Sequence, residues 1–249
     1  MQSYEKIYYD YQVQARGLLT EDSLLTHFNK LARWYNARLK RYLPVDRDAQ
    51  CLDVPCGYGN FLYFLKSKGY SNIQGIDLDE KQVELAKILG LPASECDAFE
   101  LLSDEKQSFD LISSLDFIEH ISKDDAVRFL SLSYQRLKPR GVLLLRAPCG
   151  DGPFGAHDAW NDLTHQWGMT SNLLRTMLDL NGFEDVKTLD ERPQPTSLVD
   201  SIRWLVFFPA KALASAMCMA LGMRPPTIWT RSMIAIAYKP GLLESTVDQ

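Results

Sequence analysis

The chain has 249 residues, 46% hydrophobic and 24% charged, with a formal net charge of −5 and a pI of about 5.4. That is enough for one large domain or two small ones, and for a full core without disulfide or metal staples. The acidic balance disfavours a duplex nucleic-acid partner, which would call for a basic surface.

The first residues, MQSYEKIYYDYQ, are polar and aromatic and lack the apolar run of a secretory leader. Cys51, Cys56, Cys96, Cys149 and Cys218 include no CxxC pair. An odd count without that spacing points to free thiols and a cytoplasmic location. Cys51 and Cys56 bracket a predicted strand and read as small packing residues. Residues 21–43 place Leu24, Leu25, Phe28, Leu31, Trp34, Tyr35 and Leu39 at helical spacing, with Lys30, Arg33, Arg38 and Lys40 opposite. This is an amphipathic helix stopped near Pro44, and residues 1–43 form an N-terminal helical cap.

From residue 50 strands and helices alternate. QCLDV, NIQGIDL, FDLISSL and GVLLLRAP read as strands, with ASECDA a shorter one. GNFLYFLKSKG, EKQVELAKILG and KDDAVRFLSLSYQRL read as the helices between them. Such alternation implies an α/β fold, a largely parallel sheet with helices on both faces, over residues 44–240. GDGPFGAHDAWNDLTHQWG, residues 150–168, breaks the rhythm as a long aromatic loop, the kind that usually carries function. A helix follows, capped by Thr170 or Ser171 and stopped at Gly182, then a strand, FEDVKTL. Residues 198–226 form a helical insertion before the last strand, TRSMIAIAYKP, and 241–249 a tail. The apolar part, 198–223, is interrupted by Arg203, Pro209 and Lys211. That leaves three readings: helices completing the core or a homodimer, a lid over the substrate, or an in-plane helix making peripheral contact with the inner face of a membrane.

Ligands of open parallel sheets bind at the carboxyl ends of the strands. The first strand ends in DVPCGYG, where Gly57 and Gly59 allow close backbone approach; alone, this could be an ordinary strand–helix turn. Asp77 ends the second strand, placed to bind ribose hydroxyls, and Asp97 ends the third, placed to accept from an adenine amine. Asp79 and Asp104 read as helix N-caps. A pyrophosphate would need a third glycine where Leu62 stands, and Pro55 removes a backbone donor, so a cofactor without phosphate fits better.

LDVPCGYGNF, GIDLDEKQVELAK, CDAFE, FDLISSLDFIEHI and LKPRGVLLLRAP together resemble class I S-adenosylmethionine-dependent methyltransferases over roughly residues 50–190. The resemblance implies a Rossmann-like seven-stranded sheet with a reversed final hairpin, and S-adenosylmethionine as cofactor. It implies that Asp53, Pro55, Cys56, Gly57 and Gly59 face the methionine part and that Asp77 binds the ribose. Leu78, Asp97 and Ala98 would surround the adenine, and Leu115 would line the site. Pro55 and Arg140 depart from the family's usual glycines. Tyr8, Tyr9 and Arg33 are candidates for closing over the cofactor.

A hydroxyl acceptor would want a general base. His120 in EHI is one candidate; its alternative is a structural contact. His157, Asp158, Asp162 and His165 in HDAWNDLTH could build an Asp-supported base or cap one another in a lid. Asp116, Glu119 and His120 would share one face if DFIEH were helical, with His165 or His157 completing a divalent-metal site similar to that of ubiquinone-type O-methyltransferases. The favoured expectation is metal-free O-methylation of a sugar or glycan-pathway intermediate. Its rivals are a metal-assisted quinone-type or other small-molecule O- or N-methyltransferase, and a non-catalytic binding protein.

Overall fold

The computed structural model describes residues 20–152, 155–192 and 198–241, together with Tyr11 and Gly17. Among them, strands β1 (Cys51–Asp53), β2 (Ile73–Asp77), β3 (Ala93–Glu95), β4 (Phe109–Leu115), β5 (Leu137–Pro148), β6 (Glu184–Asp190) and β7 (Ser232–Tyr238) form one sheet. Their order is β3-β2-β1-β4-β5-β7-β6. β7 runs antiparallel between β5 and β6 and the other pairs are parallel, which gives the reversed final hairpin. Helices α1 (Glu21–Leu39), α2 (Asn60–Ser67), α3 (Glu80–Ile88), α4 (Ala98–Ser103), α5 (Lys123–Arg136), α6 (Gly155–Trp160), α7 (Ser171–Leu180) and α8 (Leu198–Ala220) occupy the connections and the N-terminal segment.

The apolar run of β5 explains why both sheet faces are covered. Leu143 and Leu145 point to one side, with Phe129 and Leu130 of α5 and Leu174 and Leu178 of α7. Val142 and Leu144 point to the other, with Phe61, Phe64 and Leu65 of α2 and Tyr35 and Leu39 of α1. This is the two-residue period of a strand buried on both sides. α1 starts at a Thr20–Ser23 capping box and buries Leu24, Phe28, Tyr35 and Leu39. Four such side chains contribute roughly 6–12 kcal/mol of burial at most. The strand order reverses around β1, which lies between β2 and β4 and opens a crevice at their carboxyl ends.

Three local expectations change. The loop after β5 contains a helix, α6. Asp104 does not start a helix: it ends α4, and its carboxylate accepts from Lys106 N–H at 3.0 Å. The apolar insertion does not complete the core, because no residue of α8 is buried. Tyr8 and Tyr9 lie outside the described residues.

Candidate active site

A cavity of about 730 Å³ opens at the carboxyl ends of β1, β2 and β4. Asp53, Pro55, Cys56, Gly57, Asp77, Leu78, Asp97, Ala98 and Leu115 line it, as the resemblance implies. Gly59 does not. It starts α2 at φ +91°, and a Cβ there would stand 2.5 Å from Leu91 Cδ1 and 3.2 Å from Ala86 Cβ. Its task is close packing of α2 on the α3 segment. Arg33 is exposed and does not line the cavity.

The acids are held in different ways. Asp53 is 2% exposed, and Ser113 Oγ donates to its Oδ1 at 2.7 Å. Burial pushes its carboxyl up to about 7, with Asp77 adding to the effect and the Ser113 bond opposing it. Asp77 accepts from Gly57 N–H at 2.8 Å and from Asp79 N–H at 2.9 Å, so the ribose-side acid is tied to the loop. Burial nonetheless raises its pKa. Asp97 is also the N-cap of α4: its Oδ1 accepts from Phe99 and Glu100 N–H at 2.8 and 3.0 Å. Cap and cavity roles thus coincide in one residue. Asp79 caps α3, as expected.

The other end of the cavity is formed by Glu119, His120, Asn161, Asp162 and His165. DFIEH is not an α-helix. Asp116 sits at φ +56° and Ile118–His120 is a single 3₁₀ turn. Asp116 is drawn away into an ion pair with Arg146. Asp116, Glu119 and His120 therefore do not share a helical face. The cluster that forms is Glu119, His120 and His165, whose ligand atoms lie within 4.8 Å of one another. Both histidine Nε2 atoms are 4.0 Å from Glu119 Oε1, and the two rings meet edge to face at 4.7 Å. His157 lies exposed on α6, away from this cavity. The side chain of Asp158 is outside the described residues.

The Asp162–Thr164 pair favours one tautomer of His120. Asp162 Oδ1 accepts from Thr164 N–H at 2.9 Å and from Thr164 Oγ1 at 2.6 Å. Burial opposes charge on Asp162, but these bonds more than offset it and hold its pKa below the usual value. The Thr164 hydroxyl has one proton and gives it to the carboxylate, so it accepts from His120 Nδ1–H across 2.8 Å. Nε2 is then the basic atom. Burial, reinforced by His165, lowers the pKa of His120 and keeps the ring neutral. Glu119 is 2% exposed, and among the described residues neither carboxylate oxygen has a hydrogen-bond partner. Burial, with Asp116 next, raises its pKa strongly.

Sequence reasoning missed three contributors. Tyr35 reads as one more apolar residue of α1, yet it lines the cavity; burial, with Asp53 nearby, raises its pKa. Arg146 lies in the apolar run of β5, where a lone cation was the available signal. It pairs with Asp116 and Glu191, and its Nη2 donates to Ser232 Oγ at 3.3 Å. Thr164 carries no signal beyond its place between Asp162 and His165.

The sequence matches the family described as "Methyltransferase domain" over residues 26–217. It is 27% identical over 132 residues to the sphingolipid C9-methyltransferase of Candida albicans, covering 49% of this chain and 25% of that protein. It is 30% identical over 98 residues to the ubiquinone biosynthesis O-methyltransferase of Idiomarina loihiensis, covering 37% of this chain and 39% of that protein. The chain thus spans well under half the length of these curated relatives. In fold it is similar to a crystal structure of a SAM-dependent methyltransferase from Archaeoglobus fulgidus, with a TM-score of 0.63, 22% identity, and 84% and 94% of the two chains covered. The sheet order, the acids at successive strand ends and the extent of the family match lead to one conclusion: the chain belongs to the class I S-adenosylmethionine-dependent methyltransferases.

Proposed function

We propose that this protein uses S-adenosylmethionine to methylate an oxygen of a small hydroxylated acceptor, with His120 as general base. The observation that supports this reading is the Asp162–Thr164–His120 chain, which orients the ring through Nδ1, while burial and His165 lower its pKa; in this reading Nε2 is the acceptor atom. In this reading Asp53 to Gly57 face the methionine part of the cofactor, Asp77 the ribose, and Leu78, Asp97 and Ala98 the adenine. When bound, the cofactor supplies an electrophilic methyl group on a sulfonium. The chain's own residues align the acceptor and receive its proton at Nε2 of His120. Asn161, Asp162 and His165 add polar groups that suit a sugar-like acceptor, the class expected from the sequence.

A second reading rests on Glu119. A buried carboxylate without hydrogen-bond partners, beside two imidazoles, has the donor set for a divalent cation. Glu119, His120 and His165 would hold it, and it would polarise the acceptor hydroxyl. Calorimetry with S-adenosylmethionine should give stoichiometric binding that Asp77→Ala weakens strongly; no binding by the intact protein would end the methyltransferase reading. Elemental analysis of purified protein, with turnover of hydroxylated acceptors before and after chelation, separates the two versions. A stoichiometric ion and chelator-sensitive turnover would replace the metal-free base with the cation-assisted one.

A further inference from the structure

We infer that α8 is an in-plane docking helix for an anionic lipid surface. Its outward side is as apolar as a buried one. The side turned toward the domain is mixed, with half-buried Asp200, Ser201, Lys211 and Ser215 beside Phe207, Ala214 and Cys218, and Lys211 Nζ pairs with Asp190 of β6 at 3.4 Å. The outward side carries Ile202, Leu205, Val206, Leu213, Met217 and Met219, each more than half exposed. Arg203 stands at the edge, paired with Asp200 at 3.3 Å. A water-facing helix keeps its outward side polar; here the outward side is apolar apart from Arg203, and large exposed apolar patches mark interaction surfaces.

Length and composition alone would let the 23 residues cross a membrane, since about 34 Å of helix exceeds a hydrocarbon core of about 30 Å. The topology argues for lying flat. The chain leaves β6 at Asp190 and re-enters β7 at Ser232, and Asp190 is paired with Met233, so both ends of the excursion meet at one point of the sheet. A spanning α8 would need residues 221–231, with Arg224, Pro225 and Pro226, to recross the bilayer without helical hydrogen bonds. Charge favours an anionic surface. Residues 192–231 contain Arg192, Arg203, Lys211, Arg224 and Arg231 against one acid, Asp200, in a chain of formal net charge −5. Lys211 faces the domain, but exposed Arg192 and Arg224, before and after the helix, and Arg203 at its edge suit anionic headgroups.

The whole 249-residue chain is tested by co-sedimentation with vesicles of phosphatidylcholine alone and of phosphatidylcholine with one quarter phosphatidylglycerol. Binding is expected on both, stronger on the anionic vesicles and weakened there by salt. The double variant Leu205→Glu/Leu213→Glu changes only exposed positions; its thermal unfolding should be unchanged and its partitioning at least tenfold weaker. Protein that stays in the supernatant with both vesicle types overturns the inference, as does a variant that binds like the parent. A dimer seen by light scattering and broken by the same substitutions, without vesicle binding, would assign the face to a second copy and also overturn it.

Discussion

Replacing Asp53 with asparagine should stabilise the ligand-free protein increasingly as pH rises. Asp53 is 2% exposed and its carboxyl is pushed up to about 7 by burial. In the unfolded chain it titrates near 3.9. Between these values the folded state keeps a proton that the unfolded state has lost, so stability falls with rising pH through that window. At 1.36 kcal/mol per unit, the resulting penalty grows by about 3 kcal/mol between pH 4.5 and pH 8. Asparagine keeps the shape and an oxygen to accept the Ser113 hydroxyl at Oδ1, but it cannot ionise. Urea unfolding of both proteins at several pH values reads the effect as a difference, so other titrating groups cancel. The variant-minus-parent stability should rise by about 3 kcal/mol across the window. Saturating S-adenosylmethionine, which carries positive charge, should shrink that slope by favouring the ionised acid. A difference that does not change with pH would refute the buried-acid argument.

Gly59→Ala should lower stability by about 2–4 kcal/mol, from the left-handed backbone and the 2.5 Å approach to Leu91; cofactor affinity of the folded fraction, measured by calorimetry, should be unchanged. Thr164→Val should cut turnover by about tenfold or more while leaving cofactor affinity intact. It should also move the pH–rate profile, because Nδ1 of His120 loses its acceptor. Arg146→Met leaves Asp116 and Glu191 without their shared cation and should cost about 1–3 kcal/mol in chemical unfolding, since the cluster is partly exposed, the loss falling when the carboxylates are protonated at low pH.

What could be read from the sequence was what local pattern encodes. β4 is predicted and found at Phe109–Leu115, because an apolar run between polar turns admits few other placements. Asp77 and Asp97 could be found because strand ends converge once the sheet is parallel. The packing task of Gly59 was not legible because its partners, Leu91 and Ala86, lie further along the chain, and no local spacing records their approach. Asp116 was misplaced because the i, i+3, i+4 rule holds only inside a helix, and its φ of +56° takes it out of one. The sequence left α8 open among core or dimer, lid and in-plane helix because composition measures apolarity but not whether a neighbour covers it. Tyr35 was hidden for a related reason: it fits an apolar pattern while lining the cavity. Arg146 stood out as a lone cation in β5, but its partners Asp116 and Glu191 lie elsewhere in the chain.

The carboxyls of the site are pushed in opposite directions by their surroundings. Asp162 is held by hydrogen bonds and stays charged, whereas Glu119 is buried without such bonds and resists ionisation. His120 lies between them, linked through Thr164 to Asp162 and facing Glu119 across 4.0 Å. Environments that separate the protonation states of neighbouring groups mark acid–base assignments. A histidine whose Nδ1–H is tied, through a hydroxyl, to an ionised acid can take a proton at Nε2. The same Nε2 can serve as a metal ligand. Glu119 is the residue that distinguishes the two, because a bound cation would keep it ionised and a purely organic site would not. Glu119→Gln therefore divides them: turnover should survive the substitution if His120 acts as base alone, and fall together with metal content if the carboxylate anchors an ion.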